Sequence, residues 1–96
     1  MGGEAKGCVR INITSKDKRD TLKDVIITIS RQNGDKDTVY ALVKTDAYGF
    51  SKSLYLPIYN GSNEKYEVAV EKETGEKISD TVTVSKNAVT LKTYEF

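Results

Sequence analysis

Tyr66-Glu67-Val68-Ala69-Val70-Glu71 places Tyr66, Val68 and Val70 on one parity, and carboxylates flank Ala69 on the other. Side chains alternate across a strand, so the hexapeptide reads as a β-strand with one face in a core and one in water. The same period-two pattern extends in both directions. Val9, Ile11 and Ile13 alternate with Arg10, Asn12 and Thr14, and Val25, Ile27 and Ile29 repeat the arrangement. Ile78, Val82 and Val84 mark a sixth strand, and Val89 and Leu91 open a seventh that runs towards Phe96. Residues 39–45 read as a third strand, apolar enough at Val39, Ala41, Leu42 and Val43 to be covered on both faces. In the fourth, residues 50–58, Phe50, Leu54, Leu56 and Ile58 share one parity, and Ser51, Ser53, Tyr55 and Tyr59 share the other. Pro57 is expected to end that ladder or to sit on its edge, because it has no N–H to donate.

Turn chemistry separates these runs. The charged residues 16–20, Asn33-Gly34-Asp35, Asp46-Ala47-Tyr48-Gly49, Asn60-Gly61-Ser62-Asn63, Thr74-Gly75-Glu76 and Lys86-Asn87 are rich in residues that accept positive φ or bond to their own backbone. Seven short strands without helical periodicity define an all-β chain, read as a seven-stranded antiparallel β-sandwich. The 96 residues suit one domain, expected over residues 7–96, with residues 1–6 as a flexible leader. Met1-Gly2-Gly3 reads as a cloning remnant, so the lack of a signal sequence does not locate the parent protein.

Composition excludes several function classes. Fifteen Lys and Arg balance 14 Asp and Glu for a net charge of +1, far from the positive field that nucleic acid requires. No apolar run is long enough to insert in a membrane. With no His and one Cys, the chain has no imidazole base, no disulfide and none of the usual zinc ligand sets. The reading is therefore a non-enzyme without cofactor or metal. Cys8 is expected as a small buried hydrophobe. The acceptor triplets Asn12-Ile13-Thr14 and Asn60-Gly61-Ser62 are taken as accidental.

Thr45-Asp46-Ala47-Tyr48-Gly49-Phe50, then Leu54-Tyr55-Leu56-Pro57, then Tyr66-Glu67-Val68-Ala69-Val70 resembles the carboxypeptidase regulatory-like and prealbumin-like (transthyretin-like, Cna B-type) sandwiches. Those families include the stalk domains of Gram-positive surface proteins. There a T-D-x-x-G-x-F turn leads to a strand, an L-P stop and a Y-x-V-x-V strand. Leu22-Lys23-Asp24-Val25-Ile26-Ile27-Thr28-Ile29 is similar to the family's L-x-G-A-x-V-x-I strand. The resemblance implies a transthyretin-like Greek key. Asp46 and Gly49 are the expected structural turn residues, Gly49 taking a left-handed conformation and Asp46 accepting backbone N–H bonds.

The resemblance also implies chemistry to be weighed. Some stalk domains join a first-strand Lys to a late Asn through an isopeptide bond promoted by a buried acid in a Y-x-L-x-E strand. Here Val70 stands where the acid belongs, and Val9, Ile11 and Ile13 include no Lys. An uncrosslinked sandwich is expected, with Lys16 and Asn87 the least unsuitable partners. The purine-pathway hydrolase of the transthyretin fold resembles this chain less, since it depends on His and a Y-R-G-S terminus, whereas this chain ends Thr93-Tyr94-Glu95-Phe96. Asn33, Asp35 and Asp37 offer oxygens but lack the spacing of a calcium loop and read as a solvated hairpin. The charge-rich residues 64–77 read as a solvated sheet face. Tyr48, Tyr55 and Tyr59 are the candidate partner-binding residues, because exposed aromatics give large contact area at small entropic cost.

Two functions follow as expectations. The first is a non-catalytic spacer or interaction module of a secreted or wall-associated bacterial protein, with neighbouring domains, peptidoglycan or another surface protein as partners. The second is an accessory domain of a peptidoglycan-processing or spore-cortex lytic enzyme, implied by the similarity of residues 42–57 to modules of such proteins.

Overall fold

The computed structural model describes residues 5–16, 23–33, 35–59 and 61–96. Seven strands follow in order: β1 Ala5–Thr14, β2 Ile26–Asn33, β3 Lys36–Lys44, β4 Leu54–Ile58, β5 Asn63–Glu71, β6 Lys77–Ser85 and β7 Val89–Glu95. They form a three-stranded sheet in the order β4-β1-β7, packed on a four-stranded sheet in the order β3-β2-β5-β6. The all-β sandwich read from the sequence is the fold found.

The alternating aliphatics supply the core. Val9, Ile11, Ile13, Leu54, Leu56 and Tyr94 of one sheet meet Ile27, Ile29, Tyr66, Val68, Val70, Val82 and Val84 of the other, and all are buried. At about 25 cal/mol per Å2 of apolar surface removed from water, each such aliphatic contributes roughly 1.5–3 kcal/mol. Cys8 is also buried, as a free thiol, although it lies on the outward parity of β1 between Tyr55 and Val89.

Five features differ from the sequence reading, each because a pairing partner lies far along the chain. β1 and β7 run parallel, in register from Cys8 opposite Val89 to Thr14 opposite Glu95, so one pair in the sandwich is not antiparallel. β3 is an edge strand with Val39 and Leu42 59% and 66% exposed, so it is not covered on both faces. β1 begins at Ala5, which pairs with Ile58, two residues before the expected domain start. Residues 50–53 lie outside β4, and Ser51, on the expected outward parity, is buried. Asp17 to Asp20 of the charged loop, Leu22, Gly34 of the hairpin turn and Asn60 of the second acceptor triplet lie outside the described residues. Asn12, of the first triplet, sits half-buried in the middle of β1 opposite Thr93.

The four edge strands each carry a device that discourages pairing with a further strand. β4 holds Pro57, and β7 sets Lys92 on its core-facing parity close to Asp80. β6 exposes Lys77 and Asp80. In β3 the register against β2 shifts between Ile29 and Ser30, leaving Tyr40 as the extra residue of a bulge flanked along the strand by Lys36 and Lys44. A bulge re-aims a side chain, and here it turns Tyr40 onto the core.

Gly7 lies where the layers approach closely. A Cβ there would collide with the Val84 side chain and the Ser85 carbonyl, and the latter is backbone that cannot rotate away. Gly7→Ala is therefore expected to cost about 1–3 kcal/mol of stability, measured as a lowered midpoint in urea unfolding with an unchanged slope.

Candidate functional site

The turn after β3 completes the first sheet. β4 pairs with β1 only from Ala5 to Val9, which leaves the same edge of β1 open beyond that point. Backbone polar groups buried without partners are costly, so something must serve them. Residues 49–51 do. Ile13 N–H donates to Gly49 O at 2.7 Å, Ser51 N–H donates to Ile11 O at 2.8 Å, and Ile11 N–H donates to Ser51 Oγ at 3.0 Å. Arg10 Nε donates to Ser51 O while its guanidinium stacks 4.6 Å from the Phe50 ring centroid.

Asp46 and Gly49 hold that segment in shape. Asp46 Oδ1 accepts the N–H groups of Tyr48 and Phe50 at 2.9 and 3.0 Å, and Gly49, at φ +85°, donates to Asp46 O at 3.0 Å. The two backbone bonds, that to Phe50 foremost, hold the Asp46 carboxyl below its ordinary value of 3.8. One step back, Val25 N–H donates to the buried Thr45 Oγ1 at 3.0 Å, and Thr45 N–H returns a bond to Val25 O. Asp24, preceding Val25, has φ +61°. It occupies the glycine place of the L-x-G-A-x-V-x-I pattern, and its left-handed backbone is the physical reason for that pattern.

The three candidate tyrosines do not converge. Tyr48 projects from the turn, 81% exposed, beside the carboxyl-terminal half of β1. Tyr55 lies opposite Cys8 on the outer face of the three-stranded sheet, and Tyr59 follows Ile58 beyond the start of β1. Spread along the length of one strand, they make no common stacking platform.

Tyr59 instead joins residues that the sequence did not single out. Its hydroxyl lies 3.0 Å from that of Tyr40, its N–H donates to Glu64 Oε1 at 3.0 Å, and the Arg31 guanidinium sits 4.8 Å from its ring centroid. Arg31 Nε reaches Glu64 Oε2 at 3.1 Å, and that carboxylate raises the guanidinium further. Tyr40 meets Tyr66 edge to face with centroids 5.3 Å apart. Tyr66 donates its hydroxyl to Pro57 O, and burial pushes its ionisation up. No local pattern announces this cluster, because the β3 bulge and the β4–β5 loop create it. At the opposite seam Tyr94 donates to Asp80 Oδ2 at 3.0 Å. The Thr81 N–H foremost, and then this hydroxyl, hold Asp80 below its ordinary value.

Among the described residues, the depressions found are open rather than enclosed. One depression of about 570 Å3 is an open trough on the outer face of the four-stranded sheet lined by Ser30, Glu67, Ala69, Lys77, Ser79 and Thr81. In the hairpin, Asp37 lies opposite Gln32 and Lys36 opposite Asn33. Lys16 and Asn87 sit at opposite ends of β7: Asn87 N–H donates to Lys6 O, whereas Lys16 N–H donates to Phe96 O. They are about 30 Å apart at strand rise, too far to bond, and Val9, Ile11, Ile13 and Val70 fill the interior between.

This geometry is a two-layer sandwich module. Its fold is shared with the minor pilin GBS52 of Streptococcus agalactiae, at TM-score 0.67 and 15% identity over 96% of this chain and 44% of that one. It is shared also with the TIE protein of Bacillus anthracis, at TM-score 0.66 and 16% identity over 95% of this chain and 16% of that one. The chain therefore spans less than half the length of either. No protein-family model and no curated protein matches the sequence.

Ser51→Ala is expected to cost about 1–3 kcal/mol, since it leaves the buried Ile11 N–H unpaired, and urea unfolding measures it. For Asp46 the bound form is the carboxylate, so its stabilisation is complete above its ordinary value of 3.8 and is lost as pH falls through the lowered one. Asp46→Ala should accordingly melt below the wild type at neutral pH, and the gap should close in melting curves recorded at successively lower pH below 3.8. The intact mass should equal the sequence mass, with no loss of ammonia, as the separation of Lys16 and Asn87 requires.

Proposed function

We propose that this chain is a non-catalytic spacer module of a bacterial surface protein, a transthyretin-like sandwich strung between neighbouring domains. The parallel pairing of β1 with β7 carries the reading. The first strand runs from Ala5 to Thr14 and the last, beside it and in the same direction, from Val89 to Glu95. The chain therefore enters at one end of a body measuring 50 × 28 × 16 Å and leaves at the other. An antiparallel pair would return the chain to its starting end, as a side branch. Tension applied through the termini loads the β1–β7 hydrogen bonds in shear, so that the whole ladder resists together instead of opening one bond at a time. The likeness in fold to a minor pilin supports the same reading, which places the domain outside the cell.

Two measurements test it. In single-molecule stretching, pulling through residues 5 and 96 should need severalfold more force than pulling through residue 5 and a handle at residue 87, which peels β1 from β7. Equal forces in the two geometries would remove the mechanical basis. In co-sedimentation, the isolated domain should not pellet with purified peptidoglycan above background. Saturable binding that Tyr55→Ala abolishes would replace the spacer with a wall-targeting domain.

A further inference from the structure

We propose that Tyr40 and Tyr59 form an oxidative cross-linking site, which a peroxide-driven one-electron oxidation converts into a covalent staple between the two sheets. Their hydroxyl oxygens are 3.0 Å apart, and both rings are held before any reaction occurs. Tyr59 is fixed by its N–H bond to Glu64 and by the Arg31 guanidinium over its face. Tyr40 is fixed by the bulge in β3 and by its edge contact with Tyr66. Tyr59 is 48% exposed and Tyr40 part-exposed, so a small oxidant reaches them, whereas Tyr66 is sealed in the core.

The place of the pair gives the bond its effect. Tyr40 belongs to β3, the edge of the four-stranded sheet, and Tyr59 directly follows β4, the edge of the three-stranded sheet. Among the described residues no strand ladder joins those two edges, and the tyrosine side chains meet across this seam. A bond here closes a loop across it with a sequence separation of 19 residues.

The chemistry balances with hydrogen peroxide as oxidant and a haem peroxidase as catalyst. Each phenol gives up one electron and one proton, and one peroxide takes both pairs to become two waters. The two phenoxyl radicals then couple. Either the oxygen of one ring bonds an ortho carbon of the other, two bonds from the oxygen it already touches, or two ortho carbons join. Each coupled ring carbon releases its hydrogen as a proton, and the phenolic oxygen of that ring takes one up, restoring aromaticity. The product is the protein less two hydrogens. The contact between the phenols favours this pair, since the two radicals form side by side while both protons leave to the peroxide-derived waters.

Dilute protein treated with hydrogen peroxide and horseradish peroxidase tests the assignment. The expected product is a monomer lighter by two hydrogens, in which trypsin leaves residues 37–44 joined to residues 53–65 and fragmentation places the link at Tyr40 and Tyr59. Its melting temperature should rise by roughly 12–25 °C, as closing a loop of this size predicts. Tyr40→Phe and Tyr59→Phe each retain the ring but should lose the product, while Tyr48→Phe/Tyr55→Phe should keep it. Dimers linked through the more exposed Tyr48 or Tyr55, an unchanged monomer mass, or a link that survives Tyr40→Phe would each overturn the proposal.

Discussion

The central strand of the three-stranded sheet must have both its edges served, and the rest of the molecule is arranged around that requirement. β1 carries Val9, Ile11 and Ile13 into the core, so its backbone cannot turn to water for hydrogen bonds. β7 covers one edge from Cys8 to Thr14, in parallel. β4 covers the other only as far as Val9, and the Asp46–Gly49 turn delivers Gly49 and Ser51 to the remainder. A short loop segment thus stands in for a fourth strand. The chain gains freedom to cross between layers at residues 45–53 without leaving β1 exposed.

The two seams of the sandwich are closed by different chemistry. On the β6–β7 side a phenol donates to a carboxylate, Tyr94 to Asp80; burial and then this bond push the phenol up, and the Thr81 N–H and then this bond hold the carboxyl down. On the β3–β4 side the closure is a cluster of three phenols, a guanidinium and a carboxylate around Tyr59. Neither seam uses a backbone ladder. The layers are joined by side chains at their margins and by aliphatic packing between them.

The strands and their inner faces were legible because burial imposes a period of two, and Tyr66, Val68 and Val70 display it without interruption. The turn at Asp46 and Gly49 was legible because its bonds are local. What escaped was set by partners distant in sequence. The run Ala41-Leu42-Val43 looks two-sided until β3 is known to be an edge. Val89 and Leu91 advertise a strand, yet Thr90, Lys92 and Tyr94 are the residues that face inward, because register with β1 decides the parity. Ser51 sits on the outward parity of a strand that begins only at Leu54, after it. Tyr40 meets Tyr59 only because a bulge shifts one strand by a residue, and no pattern within nine residues of either one contains that fact.

The safeguards on the margins matter most where many copies of such a body follow one another on a single thread. Nascent repeats emerging together expose identical strands to one another, the circumstance in which chains exchange segments and tangle. Pro57, the inward Lys92, and the kinked run at Tyr40 make each margin a poor template for its sibling. Each body is then left to complete its sheets with its own segments.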